Sequence, residues 1–198
     1  MNMKILREVV ITIIIAAAVF ALLRLTVQSY TVVMSSMEPT FQQGDCIMVS
    51  KVSYRSSGPQ RGDVIVFDPP PPHDDSRYPF IKRVIGLPGE TVEIKDGEVS
   101  INGTPLAEDE YIEAQPNYTM SAIEVPDNEY FVLGDNRNNS TDSSDGWTVP
   151  RDNIIGKAWF NYWPPSKLGA VKHYRYMELS GIGEQEMGIN YSFGVQLE

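Results

Sequence analysis

The clearest hydrophobic pattern in the chain is a charge-free run from Val9 to Leu23 near the N-terminus. A helix over these residues is about 22 Å long, and an extension to Val27 makes it about 28 Å, close to the hydrocarbon thickness of a bilayer. Arg24 lies within this extension, where its long side chain can reach the interface. A cleaved secretory signal peptide is the alternative interpretation. We favour an uncleaved membrane anchor over residues 1–28, because Arg24–Val27 does not resemble a cleavage site.

Beyond residue 28, short runs of β-branched and aromatic residues alternate with Gly, Pro and Asp. Such runs favour strands, because branched and aromatic side chains pack well on a pleated surface. The β-prone runs are Cys46–Val49, Asp63–Phe67, Phe80–Ile85, Tyr130–Leu133 and Ala158–Trp163. The pattern therefore predicts a mostly β fold, preceded by one helix.

The most specific local pattern is the segment Thr91–Ile101, which alternates apolar and polar residues on both sides of Asp96-Gly97. Asp and Gly tolerate the positive φ values of a two-residue type I′ turn, so the segment predicts a β-hairpin. A two-residue turn also sets the register of the two strands. The expected pairs are Ile94 with Val99, Val92 with Ile101 and Lys95 with Glu98.

The chain of 198 residues carries 16 Lys and Arg against 26 Asp and Glu, a formal net charge of −10. Clustered basic residues are needed to neutralise phosphates, so we expect no nucleic-acid partner. A single cysteine excludes an internal disulfide, and Cys46, His73 and His173 are too few for a zinc site built from Cys and His alone. We therefore expect a protein that works without a metal ion or another cofactor.

Nucleophilic catalysis by a serine needs a base, and the two histidines are poorly placed for that role. His73 follows a run of four prolines, and His173 lies in the C-terminal tail. A lysine can serve instead when burial lowers its pKa by up to about 3–5 units, because the neutral amine is then populated at pH 7. Lys82 fits this requirement, since on a strand it shares a face with Phe80 and Val84. The alternative is an edge-strand lysine that keeps its charge in water.

Four sequence motifs occur in order behind the apolar run. They are Ser36–Phe41 with Gly44-Asp45, Arg61–Phe67, Ile81–Glu90 and Gly134–Ser143. Together they resemble the bacterial type I signal peptidases, which are membrane-anchored Ser-Lys enzymes that remove signal peptides from exported proteins. The resemblance covers residues 5–165. It implies a serine endopeptidase whose catalytic core is an antiparallel β-sheet.

The resemblance also implies roles for individual residues. Ser36 matches the nucleophile of the family, and Lys82 matches its general base. Ser140 matches the serine that hydrogen-bonds and orients the lysine amine, and Asp142 matches an aspartate that supports this region. A neutral neighbour such as Ser140 suits a lysine base, because a close carboxylate would raise the lysine pKa.

Members of this family accept small residues, commonly Ala, at the first and third positions before the cut. The resemblance therefore implies shallow apolar pockets beside the two catalytic residues. A larger side chain would be excluded from such pockets sterically. The expected pocket walls are the apolar residues near the dyad: Val32, Phe41, Phe80 and Ile81.

The chain departs from the family pattern at two positions. Met34 stands where the family has a Ser or Gly that contributes to the oxyanion hole, and a methionine side chain has no hydrogen to donate. Ser144 stands where the family has an arginine that pairs with the aspartate, so Arg137 or Arg151 is the expected substitute. These departures leave open a catalytically weakened, membrane-tethered β domain that binds peptides. A self-cleaving Ser-Lys repressor protease is a further alternative, but it needs an N-terminal DNA-binding domain where this chain has the apolar run.

The expected organisation is one transmembrane helix over residues 1–28, an antiparallel β catalytic core over 29–90 and 129–165, and a small inserted β-hairpin subdomain over 91–128. The tail over 166–198 shows no pattern that indicates a role. Lys4 and Arg7 precede the apolar run, which favours a single-pass protein of the cell membrane with a cytoplasmic N-terminus and an extracytoplasmic catalytic domain. The expected partners are the lipid bilayer and the signal peptides of preproteins, and we expect a monomer.

Overall fold

The computed structural model describes residues 3–73, 76, 78–174 and 176. Its first element is the helix α1 over Met3–Thr26, none of whose residues is buried. Within the described residues, α1 is the one helix long and apolar enough to cross a membrane, with a mean hydropathy of 2.6 over its most apolar stretch. A helix that is apolar all round and lacks packing partners is suited to lipid, because its side chains are then removed from water.

The rest of the described chain is built mainly from twelve strands. These are β1 Val27–Thr31, β2 Cys46–Ser50, β3 Val64–Phe67, β4 Phe80–Gly86, β5 Thr91–Lys95, β6 Glu98–Ile101, β7 Thr104–Pro105, β8 Met120–Glu124, β9 Glu129–Leu133, β10 Val149–Pro150, β11 Ile154–Trp163 and β12 Gly169–Ala170. The large sheet has the order β1-β2-β11-β3-β4-β9-β10, with β12 beside β11, and the small sheet has the order β7-β6-β5-β8. All of these pairings are antiparallel. The prediction of a mostly β, antiparallel fold behind one apolar helix is confirmed.

The β-prone runs of the sequence form β2, β3, β4, β9 and the second half of β11. Strand β11 starts earlier than predicted because its first residues pair with β3, where Ile154 lies opposite Phe67. Gly156 interrupts the apolar pattern in this part of the strand. A Cβ at Gly156 would lie 2.2 Å from the carbonyl oxygen of Ser50, so only glycine lets β11 approach β2 this closely.

The hairpin around Asp96-Gly97 forms in the predicted register, with all three expected pairs present. The φ angle is 53° at Asp96 and 83° at Gly97, the left-handed values that a type I′ turn requires. The strands of the small sheet lie within residues 91–124, and their apolar side chains share a core cluster with Ile85, Phe131 and Leu133 of the large sheet. The division into a core and an inserted subdomain stays a prediction.

The chain after β12 returns across the large sheet toward the small one. The Arg83 guanidinium on β4 donates a hydrogen bond of 3.4 Å to the carbonyl oxygen of Lys172. The Tyr174 hydroxyl donates to the carbonyl oxygen of Glu110 over 3.1 Å. Residues 175 and 177–198 of the predicted tail lie outside the described residues.

Candidate active site

Ser36 and Lys82 lie next to each other, although 46 positions separate them in the sequence. The distance between Lys82 Nζ and Ser36 Oγ is 2.7 Å. Both residues are buried, with exposed fractions of 2% for Lys82 and 5% for Ser36. Strand β4 lies between β3 and β9, so Lys82 is not on an edge of the sheet and the alternative of a solvated edge-strand lysine is wrong. A charged ammonium donates a hydrogen bond at this distance, whereas a neutral amine accepts one from the hydroxyl.

The pKa of the Lys82 amine lies close to neutral pH. Burial lowers its pKa to about 8, while the negative charges of Asp142 and Asp135 act in the opposite direction. At pH 7, an amine with this pKa is neutral in about one molecule in ten, compared with about one in a few thousand for a free lysine. A neutral base is therefore populated beside the Ser36 hydroxyl under ordinary conditions.

The backbone around Ser36 is held by the loop that follows β9. The Asn136 N–H donates to the carbonyl oxygen of Ser36 over 3.0 Å, and the Asn136 side-chain amide donates to the carbonyl oxygen of Ser35 over 3.2 Å. The side-chain amide of Asn139 donates to Ser35 Oγ over 3.1 Å. Sequence reasoning missed the role of Asn136, and the only available signal was its position inside the fourth motif.

Asp142 is fully buried and accepts three hydrogen bonds. The donors are the Gly134 N–H at 2.9 Å, the Ser144 N–H at 3.1 Å and the Ser144 hydroxyl at 2.7 Å. The expectation that Arg137 or Arg151 substitutes for the missing family arginine is wrong: Arg137 pairs with a different buried carboxylate, and the Arg151 guanidinium donates to a backbone carbonyl. The hydroxyl and N–H of Ser144 satisfy the carboxylate instead, because a neutral donor two residues away is close enough to reach it.

Ser140 lies against the backbone of Ser36. At Gly134, a Cβ would come within 2.3 Å of Ser140 Oγ and within 2.4 Å of the carbonyl oxygen of Ser36, so glycine is needed for these segments to meet. Ser140 Oγ is buried and has no hydrogen-bond partner among the described residues. The hydrogen bond from Ser140 to the Lys82 amine therefore stays a prediction.

A cavity of about 120 Å³ opens beside Ser36 and Lys82, and most of its wall is hydrocarbon; we call it the apolar cavity. Its wall contains three of the four predicted pocket residues, namely Val32, Phe80 and Ile81. The fourth, Phe41, lies outside this cavity. Phe41 is buried in the core and borders a separate cavity on the side of Tyr174.

The apolar cavity also has walls that the sequence did not indicate. They come from strands β1, β2 and β3, which contribute Tyr30, Ile47 and Val66. Strands β1 and β2 are distant in sequence from β4, and the order of the sheet brings them to the same place as β3 and β4. No local pattern could have identified them.

A second cavity of about 600 Å³ lies on another side of Ser36, and we call it the polar cavity. Its polar wall is formed by Ser35, Gln43, Asn138, Asn139, Ser140 and Thr141. Every residue of its wall is uncharged at neutral pH. Within the described ranges, no group of three or more His, Cys, Asp or Glu side chains could hold a metal ion.

A buried ion pair joins the elements that carry the site. Arg83 Nε lies 2.8 Å from Asp135 Oδ1, and Arg83 Nη2 lies 2.6 Å from Asp135 Oδ2. The Thr40 hydroxyl, in the turn after Ser36, donates to Asp135 Oδ2 over 2.5 Å. Because Arg83 follows Lys82 on β4 and Asp135 follows β9, this pair connects the lysine strand, the Ser36 turn and the loop of Ser140. Sequence reasoning did not assign this pair.

The chain matches the family model described as signal peptidase, peptidase S26, over residues 5–163. It is 48% identical over 146 residues to a probable signal peptidase I-1 of Synechocystis sp., a match that covers 72% of this chain and 74% of the relative. It is also 48% identical over 140 residues to a signal peptidase I of Leptolyngbya laminosa, covering 69% of this chain and 68% of the relative. A crystal structure of a signal peptidase I from Enterococcus faecalis V583 is 35% identical, with a TM-score of 0.42 over 51% of this chain and 97% of that one.

Proposed function

Because the chain belongs to the signal peptidase family, peptidase S26, we propose that it cleaves signal peptides from exported preproteins with Ser36 as nucleophile and Lys82 as general base. Family membership makes it an endopeptidase of the signal peptidase I type and makes preproteins its substrate class. The assignment of the dyad is carried by one observation, the 2.7 Å separation of Lys82 Nζ and Ser36 Oγ around an amine whose pKa burial lowers to about 8.

In the proposed reaction, neutral Lys82 takes the proton of Ser36 as Oγ attacks the carbonyl carbon of the scissile bond. The resulting ammonium then gives this proton to the departing amine, and the acyl group stays on Ser36 as an ester. Lys82, neutral again, takes a proton from a water molecule that attacks the ester. The ammonium then returns this proton to Ser36 Oγ as the ester C–O bond breaks, which releases the acid product and restores the Ser36 hydroxyl.

The negative charge that develops on the substrate oxygen needs hydrogen-bond donors. The Ser36 N–H makes no hydrogen bond within the described part of the chain, so it is the donor that we assign to this oxyanion. Met34 is half exposed beside Ser36 and donates nothing. Ser35 Oγ accepts a hydrogen bond from Asn139, which leaves its own O–H free to donate.

We further propose that α1 anchors the protein in the cell membrane, with the N-terminus in the cytoplasm and the β domain on the other side. Lys4 and Arg7 near the start of α1 support this orientation. Strand β1 continues from α1 without a linker, at residue 27. The active site would therefore lie close to the bilayer surface, where the apolar segment of a signal peptide is held. In this arrangement the protein works as a monomer.

The test is cleavage, in detergent, of a preprotein that carries an Ala-X-Ala site. We expect the wild type to cut at this site and both Ser36→Ala and Lys82→Ala to lose cleavage, because each removes one partner of the proton transfer. Lys95→Ala, at an exposed position of the hairpin, is the matched lysine control and keeps full activity. A folded wild type that binds the substrate without cutting it would instead support the tethered peptide-binding domain.

A further inference from the structure

The apolar and the polar cavity meet at the nucleophile. Val33, Met34 and Ser36 border both of them. Phe80, Ile81 and Lys82 of β4 border the apolar cavity and not the polar one. A peptide attacked by Ser36 has one part on each side of the scissile bond, so two cavities that meet at this residue suit the two parts of one substrate.

The apolar cavity suits the acyl side of the scissile bond. Its small volume and its walls of Val32, Ile47 and Val66 fit small apolar side chains. It is built partly by β1, which continues directly from α1. The apolar segment of a signal peptide, which precedes the cut, therefore reaches this cavity from the side of the anchor.

Resting on the proposed function, we propose that the polar cavity binds the first residues after the scissile bond and selects uncharged polar side chains there. The wider polar cavity, about 600 Å³ against about 120 Å³, has room for larger side chains than the acyl-side pocket. The enzyme then selects its substrate on both sides of the scissile bond. Selection depends on the shape of the side chain on the acyl side and on hydrogen bonding on the leaving-group side.

Several polar groups in the wall of the polar cavity are free to bind a substrate. The Gln43 amide and the Thr141 hydroxyl make no hydrogen bond to any described residue. Ser140 Oγ is also unpaired within the described ranges, but this atom is buried and out of reach of a substrate side chain. The Asn138 amide, in contrast, is already used by the backbone of Gln115 and Asn117.

These free groups explain the expected selectivity. A large apolar side chain would expel water from the cavity and leave the Gln43 amide and the Thr141 hydroxyl without partners, which is costly. A charged side chain would lose water without meeting an opposite charge, because every wall residue is uncharged. An uncharged amide or hydroxyl side chain exchanges its hydrogen bonds to water for hydrogen bonds to Gln43 and Thr141.

The test uses peptides that share one Ala-X-Ala acyl side and differ in the first residue after the cut, which is Gln, Leu or Lys. For the wild type, we expect kcat/KM to be about tenfold or more higher for the Gln peptide than for the Leu and Lys peptides. This ratio corresponds to the free energy of about one hydrogen bond. Gln43→Leu combined with Thr141→Val replaces two free polar groups by apolar ones of similar shape. This variant should bring the Gln-to-Leu ratio close to one while it still cleaves the Leu peptide.

A control variant separates the two cavities. Ile81→Ala enlarges the apolar cavity, so it should relax the selection of small side chains before the cut and leave the Gln-to-Leu ratio unchanged. A second readout is the partition of the acyl-enzyme between water and an added amine, which depends only on the leaving-group side. The wild type should transfer its acyl group to glutaminamide more readily than to leucinamide, and the double variant should not discriminate between the two.

An unchanged Gln-to-Leu ratio in the double variant, or a ratio that shifts with Ile81→Ala, would overturn this assignment. Either result leaves the proposed function standing, because cleavage itself continues. A wild type that cuts none of these peptides, or a Ser36→Ala variant that still cuts them, would overturn the proposed function and this inference with it.

Discussion

Lys82 is an amine buried where a positive charge is costly. The fall of its pKa from the ordinary 10.5 to about 8 means that burial destabilises the charged form by roughly 3 kcal/mol relative to the neutral form. Between these two pH values the unfolded chain holds a proton that the folded chain lacks, so the folded state gains stability as the pH rises through this window. Below pH 8, Lys82 is protonated in both the folded and the unfolded chain. The free energy of unfolding is then reduced by the full cost of burying the charge.

The pH dependence of activity follows from the same group. Because only neutral Lys82 can accept the proton of Ser36, we expect kcat/KM to rise about tenfold per pH unit below pH 8 and to level off above it. The measurement is peptide cleavage between pH 6 and pH 10 at constant ionic strength. A flat profile between pH 6 and pH 9 would contradict the role of Lys82 as base.

At the scale of elements, β4 and the ends of β1 and β9 form the site together. Strand β4 is paired with β3 on one edge and with β9 on the other, and this pairing fixes the backbone of Lys82. The ion pair of Arg83 with Asp135, both fully buried, then connects this strand to the loop after β9. Thr40, in the turn after Ser36, donates a hydrogen bond to Asp135 and joins the same network. Three segments distant in sequence are thereby held in one arrangement.

Removal of one partner of this pair should be strongly destabilising. Asp135→Asn leaves the Arg83 guanidinium buried without its counter-charge, and we expect a loss of about 3–5 kcal/mol in the free energy of unfolding. Asp152→Asn makes the same chemical change at an exposed position and should cost about 0.5 kcal/mol or less. Urea unfolding followed by tryptophan fluorescence measures both. Equal losses in the two variants would show that the pair does not hold the site together.

At the scale of the whole molecule, the anchor and the β domain are built on different principles. Helix α1 buries none of its residues against the sheets, whereas the strands of the large sheet contribute to three buried apolar clusters, one of which they share with the small sheet. The folding of the β domain is thus independent of side-chain packing by α1. The task that we propose for α1 is to hold the site at the membrane.

Deletion of residues 1–26 tests this separation of roles. We expect the shortened chain to fold and to cleave a soluble peptide at the rate of the full chain in detergent, because no buried contact is removed. Cleavage of a preprotein inserted in lipid vesicles should fall by about 10²-fold or more, since enzyme and substrate are no longer held in one membrane. An equal fall for the soluble peptide would mean that α1 supports the catalytic domain directly.

Some features follow from the sequence alone because they depend on residues close together in the chain. The apolar run produces α1, and Asp96-Gly97 sets the turn and register of the hairpin. The four motifs indicate the family. Periodicity on a single strand made Lys82 one candidate base, since neighbours two positions away share its face, and the family motif then favoured it over a solvated edge-strand lysine.

Other features depend on contacts between distant segments, and only the tertiary structure decided them. The order of the strands placed Phe41 in the core instead of in the apolar cavity, and it added walls from β1, β2 and β3. The loop after β9 made Ser144, and not an arginine, the partner of Asp142. The polar cavity and the pairing of Arg83 with Asp135 have the same origin, because a cavity or a buried pair exists only once several strands have packed together.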